Sequence, residues 1–350
     1  MGQDNRRVLV AMSGGVDSSV TAWLLREQGY ACVGVTMKLF GGQPGDMEDA
    51  RETARRLGIP HVELDCAGAF EEQVIQPFIA AYERGDTPNP CVFCNRALKF
   101  GMLAQKAAEL GCGYIATGHY ARILPDGAGQ FRLTKAADPG RDQSYVLYPI
   151  PREQLGRTLF PLGGLTKGEV REIAARQGFV NARKQDSQDI CFVPDGDYLA
   201  FMERHPVTHY PPGDIIDQSG KVVGRHRGAA GLTIGQRRGV GVSSAGRIYV
   251  CGKCMADNTV TVGPETALYS AGCGAAEFNW LISPPEGPFT ALAKTRYRQA
   301  EQPVTVTPAG AGVRLDFAQP QRAVTTGQSA VVYDESGAVL GGGIITEVIP

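Results

Sequence analysis

The chain has 350 residues, 43% hydrophobic and 20% charged, with 35 Lys and Arg set against 36 Asp and Glu. That length exceeds one ordinary core and predicts two or three domains, while the apolar runs fall far short of a membrane span. A formal net charge of −1 neither favours nor excludes nucleic acid, because an RNA enzyme needs a basic surface and not a basic whole. No apolar signal segment follows Met1-Gly2-Gln3-Asp4-Asn5-Arg6-Arg7, so the expected location is the cytoplasm, with no membrane partner. Nine cysteines without a secretion signal argue for buried thiols, metal ligands or catalytic groups over a disulfide framework.

Val8-Leu9-Val10-Ala11-Met12 reads as the first strand. It runs into Ser13-Gly14-Gly15-Val16-Asp17-Ser18 and a helical stretch, Ser18 to Glu27, stopped at Gly29. Strand, glycine turn and helix N-terminus in that order make an anion site. The glycines let the backbone approach an oxyanion, and the first helical N–H groups have no intrahelical partner. Ser13, Ser18 and Ser19 add hydroxyl donors. Asp17, which bare phosphate would repel, points to a bound metal ion or a capping role. No lysine follows the glycines as a P-loop demands.

The alternation continues. Ala31 to Met37 is a predicted strand, Asp46 to Leu57 a helix closed by Gly58, and His61 to Asp65 a strand. Ala69 to Glu83 is a predicted helix that Pro77 should kink. Arg96 to Leu110 is a helix ended by Gly111, Tyr114 to Ala116 a short strand, and Lys167 to Gln177 a further helix. This order implies an α/β fold with a parallel sheet and helices on both faces. Ligands then bind at the carboxyl ends of the strands, where the Ser13 loop, Met37 and Thr117-Gly118-His119-Tyr120 lie.

After about Arg204 the pattern changes to short alternating runs punctuated by Pro206, Pro211-Pro212-Gly213 and repeated glycines. Lys221 to Gly224, Ile248 to Cys251 and Thr259 to Val262 are predicted strands. From about Ala271 follow Thr290 to Tyr297, Val304 to Thr307, Val313 to Phe317, Ala330 to Tyr333 and Ile344 to Ile349, a spacing that suggests a small barrel. The expected domains are 1–204 (catalytic, Rossmann-like), 205–270 (small, β-rich, central) and 271–350 (C-terminal β-barrel).

Asn89-Pro90-Cys91-Val92-Phe93-Cys94-Asn95 sets two thiols at C-x-x-C spacing just before a predicted helix, whose N-terminus should lower a thiol's pKa. A third thiol follows much later in Ser187-Gln188-Asp189-Ile190-Cys191-Phe192. Alone, Cys91 and Cys94 are compatible with a redox pair, half a zinc site or cluster ligands. Cys251-Gly252-Lys253-Cys254 is a second such pair, and two pairs could form a four-cysteine zinc site. The distance in sequence favours reading Cys251 and Cys254 as incidental or a local accessory. Cys32, Cys66, Cys112 and Cys273 sit in or beside apolar runs, as small buried hydrophobes do. Arg225, His226, Arg227, Arg237 and Arg238 cluster positive charge in the middle of the chain.

The Ser13 loop resembles the pyrophosphate loop of the N-type ATP pyrophosphatases, which share an adenine nucleotide hydrolase fold. Essentially end to end, the chain resembles the bacterial tRNA-specific 2-thiouridylases. The likeness rests on Ser13-Gly14-Gly15-Val16-Asp17-Ser18-Ser19, Thr87-Pro88-Asn89-Pro90, Cys94-Asn95 with Lys99-Phe100, and Ala116-Thr117-Gly118-His119-Tyr120. It continues in Asp142-Gln143-Ser144-Tyr145, Cys191-Phe192, Thr233-Ile234-Gly235-Gln236-Arg237, Lys294-Thr295-Arg296-Tyr297-Arg298 and Gly341-Gly342-Gly343-Ile344-Ile345.

The resemblance implies replacement of the C2 oxygen of the wobble uridine in tRNAs for Lys, Glu and Gln by sulfur. ATP, with Mg2+, adenylates that oxygen, and sulfur then attacks C2. The sulfur donor is a cysteine desulfurase or a sulfur-relay protein. The implied ATP residues are Ala11, Met12, Ser13, Gly14, Gly15, Val16, Asp17, Ser18, Met37 and Gly118. The implied target-base residues are Asn89, Pro90 and Cys91, with further tRNA contacts at Arg141, Asp142, Gln143, Arg296 and Tyr297. Arg296 suits phosphate and Tyr297 suits stacking. Lys99 and Arg96 suit phosphate or a solvated helix face. His119 suits the nucleotide pocket or a sheet cap, and Asp142 the positioning of a loop.

The chain departs from the better-known branch at Cys91, which is aspartate there. In that branch Cys94 is the nucleophile, Cys191 carries a persulfide, and the two can form a disulfide bond. Three thiols, Cys91, Cys94 and Cys191, also suit a 4Fe-4S cluster with one open iron for hydrosulfide, which the extra cysteine slightly favours. The rival functions are another ligase of the same loop class, adding nitrogen to an adenylated carbonyl, and a non-catalytic, zinc-stabilised RNA-binding protein.

Overall fold

The computed structural model describes residues 6–39, 45–182, 184, 190–205, 209–243 and 246–350. The Ser187-Gln188-Asp189 part of the Cys191 motif and Pro206 lie outside the described residues. The chain divides into two compact units. The first holds Met1–Val74, Cys91–Phe192 and Ser336–Val339; the second holds Ile75–Pro90, Val193–Glu335 and Leu340–Pro350.

In the first unit, strands β1 (Arg7–Ala11), β2 (Ala31–Lys38) and β3 (His61–Asp65) alternate with helices α1 (Val16–Glu27) and α2 (Asp46–Leu57). Gly29 and Gly58, at φ +81° and +64°, stop the two helices. The chain then forms α3 (Ala67–Phe70), a π-helical stretch Glu71–Ile75, and α4 (Gln76–Glu83). The kink expected at Pro77 is therefore absorbed by a widened π turn just before it. A proline has no N–H for the α ladder, and a π segment accommodates that locally.

The next helix begins earlier than predicted. Helix α5 (Pro90–Cys94) precedes a π-helical Asn95–Met102 and α6 (Leu103–Glu109). Pro90, with no N–H to lose, suits the first helical position. The C-x-x-C pair thus lies inside the first turns, not ahead of them.

Beyond β4 (Tyr114–Ala116) come a hairpin, β5 (Arg122–Pro125) and β6 (Phe131–Thr134), then α7 (Ser144–Leu147), β7 (Thr158–Leu159) and α8 (Lys167–Arg176). A capping box starts α8, with Thr166 and Glu169 bonding each other's backbone N–H. The parallel sheet has the order β3-β2-β1-β4-β7. Chain order reverses across β1, whose neighbours are β2 and β4. That switch point opens a crevice at the carboxyl ends of β1 and β4. Val8, Val10, Met12, Val16, Val20 and Leu25 pack with Ala116, Leu162 and Val170 into the core beneath it.

In the second unit, α9 (Tyr198–Glu203) meets α4 through Phe78, whose ring stands edge-on to Tyr198 and Phe201. Strands β8 (Gly213–Ile216), β9 (Val222–His226), β10 (Tyr249–Cys254) and β11 (Thr259–Gly263) make a four-stranded sheet. Strands β12 (Tyr269–Trp280), β13 (Phe289–Lys294), β14 (Gln302–Ala309), β15 (Gly312–Arg322), β16 (Ser329–Tyr333) and β17 (Val339–Ile349) close into a barrel, as the strand spacing predicts. Its core includes Cys273, Val306, Leu315, Ala330 and Val332. Cys32, Cys66 and Cys273 are buried as expected, whereas Cys112 is half-buried.

Candidate active site

Ala11 ends β1, and Met12 N–H donates to Val35 O at 2.8 Å, which carries the chain into the loop alongside β2. Gly14 has φ +73°, and a Cβ there would stand 2.1 Å from Asp46 O. Only glycine lets the loop lie this close to the start of α2. Val16 is buried in the core beneath the loop.

The serine hydroxyls are less available than the sequence suggests. Ser18 Oγ and Ser19 Oγ both donate to Gly15 O at 3.0 Å, and Ser19 is fully buried. Ser18 Oγ also accepts from Ser13 N–H at 3.1 Å. Ser13 alone of the three is exposed. Buried hydroxyls seek the nearest carbonyl, and here that is the turn itself.

Asp17 does not cap α1, whose first turn has no side-chain cap. Its carboxylate instead accepts from Lys167 Nζ at 2.8 and 2.9 Å and from Tyr120 Oη at 2.8 Å. Lys167 was missed in the sequence because it lies on α8, far along the chain. Two more such residues hold the loop. Asn181 Nδ2 donates to Gly14 O and Ser19 Oγ, both at 2.9 Å. Lys184 Nζ pairs with Asp46 and Asp49, each at 2.7 Å.

The other implied nucleotide residues sit at the same strand ends. Met37 is half-buried near the end of β2, opposite Leu64 on β3. A Cβ on Gly118 would lie 3.0 Å from Asp17 C and from Ser18 N, so glycine there lets the segment after β4 pack against the start of α1. Gln143 ties its backbone and side chain to Tyr120: Gln143 N–H donates to Tyr120 O at 2.8 Å and Tyr120 N–H to Gln143 Oε1 at 2.9 Å. Asp142 accepts from Ala136 N–H, Ser144 N–H and Ser144 Oγ, which ties the two ends of residues 136–144 together. Arg141, beside it, is half-buried.

Cys91, Cys94 and Cys191 form a second cluster within the first unit. Burial raises the Cys91 and Cys94 thiols above the usual range, with Lys99 pulling the other way and Cys91 adding to the rise at Cys94. Cys191 is pushed up to about 11 by burial first and then by Cys94 and Cys91, against Lys99. The expected lowering by a helix N-terminus is therefore not found. Loss of hydration around a thiolate outweighs both the helix end and the lysine. Cys91 and Cys191 keep accessible surface and are still crowded by protein on most sides. Phe192 anchors Cys191 by packing edge-on against the buried Phe70, with centroids 5.6 Å apart.

Lys99 Nζ reaches His119 Nε2 at 3.3 Å, and His119 Nδ1 meets Thr117 Oγ1 at 2.6 Å. An ammonium only donates, so Nε2 accepts and Nδ1 carries the proton. Burial first, and then the charge of Lys99, holds the His119 pKa well below its ordinary value. His119 is thus a buried, neutral group that fixes Lys99 toward the thiols. Arg96 is exposed on the helix surface.

All nine cysteines are free. The disulfide implied for Cys94 and Cys191 is not formed; both are thiols here. Among the described residues, no three His, Cys, Asp or Glu side chains are grouped to hold a metal ion. The four-cysteine zinc reading gains no support. Cys251 Sγ instead donates to Thr261 O at 3.5 Å and Cys254 Sγ to Asp257 at 3.3 Å.

In the second unit, Asn89 is half-buried and Pro90 buried. Arg296 donates from Nε to Ala323 O at 2.9 Å and from Nη2 to Ile234 O at 2.9 Å and Thr325 Oγ1 at 2.8 Å. Tyr297 beside it is 37% exposed, enough to stack on a base. Of the basic cluster, Arg237 and Arg238 are exposed, Arg225 and Arg227 face Asp214 and Asp197, and His226 is buried against Asn258 O.

Residues 6–195 match the family model described as the tRNA methyl transferase HUP domain. Residues 200–264 match the tRNA methyl transferase PRC-barrel domain, and 270–345 the aminomethyltransferase beta-barrel domain. The tRNA-specific 2-thiouridylase MnmA of Heliobacterium modesticaldum is 46% identical over 354 residues, spanning 97% of this chain and 92% of that protein. Its counterpart from Geotalea uraniireducens is 44% identical over 360 residues, spanning 98% and 96%. That of Geobacter metallireducens is 44% identical over 356 residues, spanning 97% and 96%.

Proposed function

From the premise that this chain belongs to the tRNA-specific 2-thiouridylase family, and so is an ATP-dependent tRNA-uridine 2-sulfurtransferase, we propose a target, a site and a route for sulfur. The target is C2 of the wobble uridine in tRNAs for Lys, Glu and Gln. The Ser13–Ser18 loop, with Ala11, Met12, Met37 and Gly118, binds ATP in the crevice beside β1. Asn89, Pro90 and Cys91 face the base, and Arg141, Asp142, Gln143, Arg296 and Tyr297 belong to the tRNA side. The domains are 1–204, 205–270 and 271–350, and the setting is cytoplasmic. The observation that carries the reading is the joining, in one unit, of a switch-point phosphate loop with three thiols around Lys99.

The uridine O2 attacks the α-phosphorus of ATP, and pyrophosphate leaves. This converts a poor leaving group into AMP. Cys191 carries a persulfide received from a cysteine desulfurase or a relay protein. Its terminal sulfur attacks C2, and AMP departs with the old oxygen. Cys94 thiolate then attacks Cys191 Sγ, which frees the thiolated base and leaves a Cys94–Cys191 disulfide. A thiol reductant restores both cysteines. The raised thiol pKa values mean that this chemistry needs deprotonation in the loaded complex, with Lys99 stabilising the anion.

Asp17 is the loop carboxylate that would hold Mg2+ beside the phosphates, but both its oxygens accept from Lys167 Nζ, so the ion would have to displace that lysine. Mg2+ neutralises polyphosphate charge. A 4Fe-4S cluster on Cys91, Cys94 and Cys191 has a suitable donor chemistry. The grouping of the described residues does not fit a preformed metal site.

The experiment is 2-thiouridine formation in unmodified tRNA-Glu with ATP, a cysteine desulfurase with cysteine as the persulfide donor, and a thiol reductant, without oxygen, using iron-free and iron-reconstituted protein. Equal activity supports the thiol route. Activity confined to the reconstituted protein, and lost in Cys91→Asp, overturns it in favour of the cluster. No thiolation from either sample defeats the assignment of substrate.

A further inference from the structure

The segment that leads into α5 is fastened to the barrel. Thr87 N–H donates to Thr326 O at 2.9 Å, and Gln328 Nε2 donates to Thr87 O at 2.8 Å. Between these two bonds lies Gly327, at φ +85°. A Cβ on Gly327 would stand 2.9 Å from Asp86 Cβ and Thr87 N and 3.0 Å from Thr87 C. The turn is thus pressed directly on the backbone of Asp86 and Thr87.

The turn is itself held from two sides. Gly327 N–H donates to Ile345 O and Ile345 N–H to Gln328 O, both at 2.8 Å, which staples it to β17. On the other side stands Arg296, whose bonds to Ala323 O, Thr325 Oγ1 and Ile234 O use three N–H groups of its guanidinium. Every one of these residues lies in the second unit. The chain then passes from Thr87 through Pro88, Asn89 and Pro90 to Cys91.

We propose that the turn Thr325–Gln328, braced by Arg296, positions the base-facing segment Asn89–Cys91, with Gly327 and Arg296 as positioning residues. The proposal rests on the thiouridylase reading. Arg296 then serves the tRNA side through the turn and not by a phosphate contact: its fork is spent on protein acceptors that set the turn. The bond from Thr87 N–H to Thr326 O and the packing of Gly327 on Thr87 are backbone against backbone, so they transmit displacement where a side chain would yield. Reaction geometry is sensitive to displacements of this kind, a shift of about 1 Å costing about a hundredfold in rate.

The test uses the full chain as wild type, Gly327→Ala and Arg296→Met. Three quantities are measured: turnover at saturating tRNA, tRNA affinity across a salt series, and alkylation of Cys91 by iodoacetamide in the free protein. Gly327→Ala is expected to cut turnover by about tenfold or more while tRNA affinity stays within about twofold. It should also change the Cys91 alkylation rate. Arg296→Met should behave alike, with an unchanged salt slope.

Wild-type turnover and wild-type Cys91 reactivity in Gly327→Ala would overturn the proposal. So would an Arg296→Met variant that loses about one unit of salt slope and keeps its turnover, since that is the mark of a phosphate contact. If Gly327→Ala does not fold, Gln328→Met removes the bond to Thr87 O without backbone strain and carries the same expectations. If wild type itself forms no 2-thiouridine, the functional reading fails, and Cys91 reactivity still decides the positioning role.

Discussion

Lys167 Nζ grips both carboxylate oxygens of Asp17, at 2.8 and 2.9 Å, with the lysine side chain only 10% exposed. A cation at the first position of α8 is misplaced with respect to that helix's own dipole. Asp17 is what makes the place tenable. The pair cancels charge beside a loop whose ligand is anionic.

Lys167→Met leaves the Asp17 carboxylate facing incoming phosphate without compensation. ATP affinity should fall at least about tenfold, equivalent to about 1.4 kcal/mol. Loss of the partly buried pair should cost about 2 kcal/mol of folding stability. Titration calorimetry with ATP and urea unfolding read the two effects. Wild-type ATP affinity in this variant would show that the Asp17 charge is not felt at the phosphate site.

Gly14→Ala tests the loop's closeness to α2. A methyl group there would meet Asp46 O at 2.1 Å, and the backbone already has φ +73°. Neither strain can be relieved by turning a side chain, so the variant should lose about 2 kcal/mol or more of stability. A urea midpoint equal to that of wild type would contradict the packing described here.

Lys99→Met removes the cation that favours the thiolates of Cys91, Cys94 and Cys191. Their pKa values should rise further. At pH 8.5 the alkylation of these thiols should slow several-fold, and the rate profile should move to higher pH. The measurement is iodoacetamide labelling followed by peptide mass analysis across the alkaline range. Superimposable profiles would take Lys99 out of the thiols' field.

His119 sets an acid limit. Its folded pKa lies well below the ordinary value, while the unfolded chain titrates near 6.5. Below about pH 6.5 the unfolded state therefore binds the extra proton, and stability falls as pH falls, by about 1.4 kcal/mol per unit for this group. The loss ceases once the folded pKa is passed. His119→Asn should flatten the part of the stability curve between pH 7 and pH 5 that this group causes. Equal slopes in the two proteins would contradict a buried, neutral histidine.

Much of the frame was legible in sequence because short-range signals and tertiary structure agree. Asp46–Leu57 and His61–Asp65 match their predicted limits, since a glycine or a reversal of apolar period marks their ends. The Pro90 helix start was misread. The helix is expected from Arg96, but Pro90 supplies a helix start of its own. The π segments escaped because a periodicity of 3.6 is the only helical template that sequence reading tests. At the site, the loop and the thiols were visible as motifs. Lys167, Asn181 and Lys184 were not, because each acts through a contact with a remote segment. The thiol pKa values were misjudged for a related reason: burial is a property of the packed chain.

The broken ownership of the two units has a consequence for biogenesis. The first unit includes Ser336–Val339, and Lys135 N–H donates to Gly337 O within it at 3.1 Å. On the ribosome, that unit cannot be completed until Ser336–Val339 has emerged, more than 140 residues after Phe192. The segment Ile75–Pro90 must likewise wait for barrel strands made much later. Nascent chains therefore carry unfinished surfaces through most of synthesis, and prematurely terminated products are substrates for proteolysis, not half-working enzymes.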